Sequence, residues 1–586
     1  MKKLLIALAI GCVATTHAQG QHTFRLGPHD FLLDGKPFQI ISGEMHPARI
    51  PRPYWRQRIR LAKAMGCNTI AAYVFWNYLE TQEGRFDFKS ENRDIAAFIK
   101  IAHEEGMWVL LRPGPYVCAE WDFGGLPNYL LKIPDIKVRC SDPRYLGAVR
   151  RYVTALAAQV APLQITHGGP ILMVQVENEY GSYGNDTTYL NKLRNWWKEG
   201  GIDVPFYTAD GATPFMLEAG NVYGAAIGLD PGTSDNDFAE AARRNPNVPA
   251  FSSETYPGWL THWGEKWART DTADIIKDLN YLMDHGKSFN LYVIHGGTNF
   301  GLTAGANSGS KGYEPDVTSY DYDAPIDEQG RPTPKYFALR RLLHATGPLP
   351  DLIPTMSIPA FTPEKWTSIW DNLPKPIHEI QPKPFEAYGQ NQGLMLYTTR
   401  LVGHKSGRLV LTDLHDYATV FLDGKLIGTI DRRLGEKSIQ LPKTETPFPK
   451  LDILVEGMGH INFAQELIDR KGITERASLD GMTLMNWEIY PYPLGAVHRS
   501  QPTTRAGIYF HATIPLDTVA DTYLDMSHYQ KGYVWVNGHN LGRYWNIGPQ
   551  QHLYCPAPWL RRGANEILIL DLLQTDPAPV SGVPGL

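Results

Sequence analysis

A chain of 586 residues is too long for one hydrophobic core, so two or more domains are expected. With 43% hydrophobic and 11% aromatic residues, including 15 Trp and 30 Tyr, it has ample material for folded cores, and a disordered chain is excluded as the default. A net charge of −5 without a long run of one sign leaves no footprint for nucleic acid or an anionic membrane, and suits an uncharged ligand such as a carbohydrate.

The N-terminus reads as an export signal. Met1-Lys2-Lys3 precedes an apolar stretch from Leu4 to Val13, then small and polar residues with a cut after Ala18. Residues 1–18 are expected to be a signal peptide, leaving the protein in the periplasm or outside the cell. Acylation of Cys12, as in a lipoprotein, is the alternative. No other segment approaches the roughly 20 apolar residues of a transmembrane span.

From Phe38 onward, short β-branched runs alternate with helical patterns as far as Gly347. Eight runs predict strands: Phe38–Ser42, Thr69–Phe75, Trp108–Arg112, Ile171–Val176, Val204–Thr208, Val222–Ile227, Val248–Ser252 and Asn290–His295. The sixth is the weakest, because glycine and alanine stand where a strand prefers branched residues. Helices are expected at Asp94–Glu105, Arg144–Leu163 and Asp271–His285, the first with Ile95, Phe98, Ile99 and Ala102 on one face and Gly106 as its stop. Eight such alternations predict an α/β chain with a (β/α)8 TIM barrel, and no glycine-rich phosphate loop follows the first strand to favour a doubly wound sheet.

After Leu349-Pro350 the chain becomes Pro-rich and then strand-like without long helices. Ala418–Gly428 and Gly532–Gly542 each place Asp-Gly or Asn-Gly between two strand-like runs, a strong hairpin signal. Two all-β sandwich domains are therefore expected. The predicted division is a barrel over 23–350, a linker and first sandwich over 351–490, and a second sandwich over 491–586. Cys67, Cys118, Cys140 and Cys555 are spaced for neither a zinc site nor a disulfide scaffold.

In such a barrel the working residues stand at the C-terminal strand ends. Glu179 follows the fourth strand and Glu254 the seventh, each among aromatic and small residues. A pair of carboxyls so placed suits cleavage of a glycosidic bond. Other strand ends supply groups suited to a hexose: Glu44 and His46, Tyr73 and Asn77, Tyr116, Glu120 and Trp121, Asn299, and Ser319 to Asp323. No ligand set accompanies His46 or His295, so neither a metal nor a cofactor is expected.

The string Gly168-Gly-Pro-Ile-Leu-Met-Val-Gln-Val-Glu-Asn-Glu-Tyr-Gly-Ser-Tyr183 resembles the signature of glycoside hydrolase family 35, the β-galactosidases that include the lysosomal enzyme. Matching segments run through the barrel: Ile41–His46, Leu111–Trp121, Ser253–Trp259, Gly297–Gly301 and Thr318–Pro325. The resemblance is thinner beyond the barrel, at Val455–Phe463 and Tyr533–Tyr544, and it implies sandwiches of the jelly-roll, galactose-binding-like kind. It implies a retaining mechanism with Glu179 as acid/base and Glu254 as nucleophile, and assigns Glu177 no proton transfer. Asn178 would hold the 2-hydroxyl, Tyr73, Ala119, Glu120 and Tyr322 would contact galactose, and Trp259 would offer a stacking face. Tyr322 is also expected to support the nucleophile by hydrogen bonding. The implied partner is a galactose-containing oligosaccharide or glycan, acted on from its non-reducing end. The alternatives are the same chemistry on another β-glycoside, such as an exo-β-glucosaminidase, or a carbohydrate-binding protein with an inert barrel. The sequence carries no signal for the oligomeric state.

Overall fold

All eight predicted runs lead into strands, and these close in chain order into one parallel barrel. They are β1 (Ile41–Met45), β2 (Thr69–Tyr73), β3 (Trp108–Arg112), β4 (Ile171–Gln175), β5 (Phe206–Asp210), β6 (Ala226–Leu229), β7 (Ala250–Thr255) and β8 (Phe289–His295). The structure is a computed structural model that describes residues 22–501 and 504–586; the expected signal peptide and Cys12 lie outside the described residues.

Several strands start later than their apolar runs, and the shift matters for function. Lys36-Pro37 pairs with Phe31–Leu33 in an N-terminal ribbon, so β1 begins at Ile41 and carries Glu44 within it. Likewise β7 extends to Thr255, so Glu254 sits on the strand rather than after it. Residues 222–225 form a turn, and β6 uses the small residues that made it the weakest candidate. A Cβ on Gly228 would stand 2.2 Å from Ser253 Oγ, so the missing side chain lets β7 lie close.

The outer helices form where apolar periodicity and caps agree. Helix α1 (Ile95–Glu104) is capped by Asp94, whose Oδ1 accepts from Ala97 N at 2.9 Å. Helices α2 (Pro143–Val160) and α3 (Thr272–Asp284) are capped in the same way by Asp142 and Asp271. No helix among the described residues is long and apolar enough to cross a membrane.

Two β-sandwiches follow, but not in simple succession. Strands β9 (Ile358–Phe361) and β10 (Glu364–Ser368), in the segment read as linker, pair with Val580–Val583 and Ile508–Leu516 of the last sandwich. The first sandwich is thus inserted between two parts of the second. Both predicted hairpins form: β11 (Tyr417–Leu422) with β12 (Lys425–Asp431), and β13 (Lys531–Val536) with β14 (His539–Trp545). Their turn residues Asp423-Gly424 and Asn537-Gly538 all have positive φ, as a type I′ turn requires.

The sandwiches bind the barrel through buried polar contacts. His460, on a loop of the first sandwich, lies between barrel Asp122 (2.8 Å) and Glu386 (3.0 Å), and these carboxylates raise its pKa to about 9 despite its burial. On the same loop, Asn462 O accepts from barrel Tyr116 OH at 2.6 Å. From the second sandwich, Arg543 O accepts from Thr318 Oγ1 and Gln550 Oε1 from Ser319 N, both at 2.7 Å.

Candidate active site

The eight residues assigned to the site from the sequence line one cavity of about 140 Å³ at the C-terminal mouth: Tyr73, Ala119, Glu120, Asn178, Glu179, Glu254, Trp259 and Tyr322. This is well below the roughly 300–1,000 Å³ of pockets for drug-sized ligands, and suits one sugar unit rather than a chain. Trp259 stands at the rim, 49% exposed.

The backbone around the cavity is unusually left-handed for non-glycine residues. Cys118, Ala119 and Glu120 have φ of 61°, 61° and 48°, Glu177 and Glu179 have 61° and 45°, and Tyr322 has 63°. Such conformations cost on the order of 1–3 kcal/mol each and persist where the surrounding structure enforces them. Their concentration at one barrel mouth marks it as the functional end.

Glu254 is buried and gripped by donors. Oε1 accepts from Arg112 Nη2 at 2.5 Å and Tyr73 OH at 3.0 Å, while Oε2 accepts from Tyr256 OH at 2.9 Å. Arg112 also donates to Glu44 and to Gln175 Oε1, and its guanidinium lies 3.9 Å from the Tyr73 ring centroid. Burial raises the Glu254 carboxyl above its ordinary range, although the Arg112 charge and these donors pull against it.

Glu179 is held differently. Among the described residues its carboxylate meets only Asn178 Nδ2, at 3.5 Å, while its backbone N–H donates to Ala209 O at 2.8 Å. Burial, reinforced by the charges of Glu254 and Asp210, pushes its carboxyl up to about 8. A proton entering the pair therefore settles on Glu179, because of the two only Glu254 is hydrogen-bonded to an arginine among the described residues.

Asn178 is fixed in orientation. Its Oδ1 accepts from Tyr73 OH (2.8 Å), Gln175 Nε2 (2.8 Å) and Arg112 Nη2 (3.1 Å), which turns Nδ2 away from them. Glu177 faces away from the cavity into a bidentate pair with Arg139 at 3.0 and 2.8 Å and accepts from Tyr189 OH at 3.0 Å. Arg139 Nη2 also donates to Asn178 O at 2.6 Å, so this pair holds the Asn178-Glu179 turn. Glu120 Oε2 accepts from Tyr320 OH at 2.5 Å.

Some residues expected to meet a hexose are scaffold. Glu44 and His46 are fully buried: Glu44 Oε2 accepts from Asn290 Nδ2 at 2.7 Å, and His46 Nδ1 accepts from Arg49 Nη1 at 2.6 Å. Burial and the arginines keep His46 neutral, its pKa well below the usual range. Asn299 Oδ1 accepts from Arg49 Nε, and Asn77 Oδ1 accepts from Trp121 Nε1, both at 2.8 Å. Tyr322 OH makes no bond to Glu254 among the described residues; Tyr73 and Tyr256 supply that support instead.

Of the lining and supporting residues that escaped the sequence reading, three show why. Tyr256 stands two positions beyond Glu254, a spacing that keeps both on one side of an extended chain, so alternation could have found it. Arg112 is 142 positions from Glu254 and carries no local signal. Phe463 reaches the cavity from the first sandwich. Among the described residues two clusters, His262-Glu265-Glu314 and His415-Asp416-Asp469, bring metal-type ligands together, but Lys311 pairs with both glutamates of the first and Lys471 with both aspartates of the second. Neither includes His46 or His295.

One carboxyl paired with an arginine and another raised to about 8 in a cavity one sugar wide equip this barrel for acid-assisted cleavage of glycosides, which places it with the glycoside hydrolases. Comparison with known proteins names the branch: the chain belongs to glycosyl hydrolases family 35, whose family model matches residues 30–346. Models described as the first all-beta domain and the galactose-binding domain of beta-galactosidase match 382–493 and 508–565. The chain is 42% identical over 569 residues to a beta-galactosidase of Xanthomonas manihotis, covering 94% of each chain. It is 37% identical to a beta-galactosidase of Bos taurus, over 97% of this chain and 93% of that one. Beta-galactosidase 17 of Arabidopsis thaliana is also 37% identical, over 94% of this chain and 87% of its own length.

Proposed function

We propose that this protein is a retaining β-galactosidase that removes terminal β-D-galactosyl units from oligosaccharides or glycans, with Glu254 as nucleophile and Glu179 as acid/base. Glu254 attacks C1 while Glu179 gives its proton to the departing oxygen, leaving a covalent galactosyl-enzyme and a free leaving group. Esterification removes the Glu254 charge, so the Glu179 carboxyl falls and can take a proton from water, which releases β-galactose and restores both groups. Asn178 Nδ2 is oriented to hold the 2-hydroxyl, and Tyr73, Ala119, Glu120 and Tyr322 surround the galactosyl ring, with Trp259 stacking at the rim.

The observation that carries this reading is the unequal treatment of two glutamates in one small cavity. Two tyrosine hydroxyls and an arginine keep Glu254 ready to attack, whereas Glu179, raised to about 8, keeps its proton at neutral pH. The test is a panel of aryl β-glycosides with the first-formed anomer followed by NMR, repeated with Glu254→Gln and Glu179→Gln. Galactosides should be turned over with retention, and Glu254→Gln should lose at least about 10³-fold in kcat. Undiminished turnover by Glu254→Gln would overturn the assignment, and turnover of glucosaminides alone would change the sugar. Residues 1–18 would export the enzyme, which fractionation of cells and the N-terminus of the mature protein would test.

A further inference from the structure

A second cavity, of about 250 Å³, opens where the barrel meets the second sandwich. Its barrel side comes from segments after β1, β2, β3 and β8, so it lies on the same face as the catalytic cavity, yet the two share no lining residue. Between them runs a packed layer in which Trp121 stacks on Phe75 at 4.0 Å and Arg49 lies 3.6 Å from the Tyr320 ring centroid. Arg49 Nη2 also donates to Ala119 O at 2.5 Å, tying this layer to the catalytic loop.

The lining chemistry is that of a site for an uncharged polyhydroxylated ligand. His539 lies flat on Trp559, with centroids 4.7 Å apart and planes 4° apart, and Phe300 meets Trp559 edge-on at 4.4 Å. The indole N–H of Trp559, the imidazole nitrogens of His539, the hydroxyl of Tyr78 and the carboxylate of Glu91 make no hydrogen bond among the described residues. The Asn540 amide spends only Oδ1, on Gly542 N at 2.9 Å. No lysine or arginine lines the cavity, so a phosphate or sulfate has no counter-charge there. Rings for C–H faces, unspent polar groups for hydroxyls and a position between domains match the features of a small-ligand site.

We infer that this cleft is a second carbohydrate-binding site, taking a neutral β-linked oligosaccharide on the Trp559–His539 stack and holding the glycan beside the catalytic mouth. The inference rests on the reading of this protein as an enzyme of glycans. It is separable from galactose specificity because the cleft has no part in bond cleavage.

The test is calorimetric titration of the Glu254→Gln protein with cellotetraose, xylotetraose and β-1,4-galactotetraose, alone and combined with Trp559→Ala or Glu91→Ala. At least one tetraose should bind, weakened about tenfold or more by Trp559→Ala and about threefold by Glu91→Ala. Glu91 is exposed and its carboxylate has no partner among the described residues, so truncating it spares the fold, and an unchanged melting temperature and unchanged aryl β-galactoside turnover in the otherwise wild-type background serve as controls. If no tetraose binds, or if binding survives both substitutions unchanged, the cleft is not a sugar site. Failure of wild-type enzyme to cleave aryl β-galactosides would instead sink the galactosidase reading, while Trp559-dependent binding would still uphold the cleft.

Discussion

On the side of the catalytic cavity built from β2, β3 and β7, Glu254 sits in a shell of donors: Arg112, Tyr73 and Tyr256 all point at its oxygens. On the side built from the turn after β4, the Glu179 carboxylate has one long contact to Asn178 among the described residues, and burial and the charges of Glu254 and Asp210 raise it. The same side chain thus meets opposite surroundings, because an arginine and two hydroxyls bond to one carboxyl while the other is left with one long amide contact among the described residues. Strong donors near Glu179, Arg139 above all, are spent on Glu177.

Removing the donors from the first side should have the largest effect. Arg112→Met leaves Glu44 and Glu254 buried without their cation, which should cost about 3–5 kcal/mol of stability in chemical denaturation. Its kcat/KM should fall about 10³-fold. Because Glu254 would then hold its proton to higher pH, the acid limb of the pH–rate profile should move upward. A profile unchanged in position would show that Arg112 does not set the charge of Glu254.

The second side is tested by stability. Glu179 has a raised pKa in the fold, so the native state binds more protons than the unfolded chain between about 4.5 and 8. Its contribution is therefore lost as pH rises through about 8. Glu179→Gln should be more stable than wild type by about 1–2 kcal/mol at pH ~9, with the difference shrinking towards pH ~4, where the carboxyl is protonated in both states. Equal pH dependence of the two proteins in thermal melts would contradict a protonated Glu179.

The smallest effect is expected from the wall that the first sandwich contributes. Phe463→Ala admits water to the cavity and lessens desolvation, so the Glu179 carboxyl should fall from about 8. The alkaline limb of kcat/KM should then move down by about half a unit to one unit with modest change in its maximum. A limb that stays in place would assign the raised pKa to the barrel alone.

Much of this molecule is legible in the sequence. Apolar runs at β-spacing, capped helices and two hairpin turns give the barrel and the sandwiches, and the strand-end rule selects both glutamates. What escapes has a common cause. Arg112 acts on Glu254 across 142 positions, and Phe463 comes from a different domain, so neither leaves a local pattern. Strands β9 and β10 look like linker because edge pairing with a partner more than a hundred positions away is invisible to periodicity.

The sequence by itself determined which residues could do chemistry and, through its family resemblance, which chemistry. Side-chain type and element propensity are local properties, and they survive in one dimension. Tertiary structure alone decided that Glu254 is served by Arg112, Tyr73 and Tyr256 while Glu179 is left to hold a proton, and that a second aromatic cleft opens beside the mouth. Charge balance, desolvation and cavities belong to the groups that folding brings within a few ångströms of one another, and those groups come from all parts of the chain.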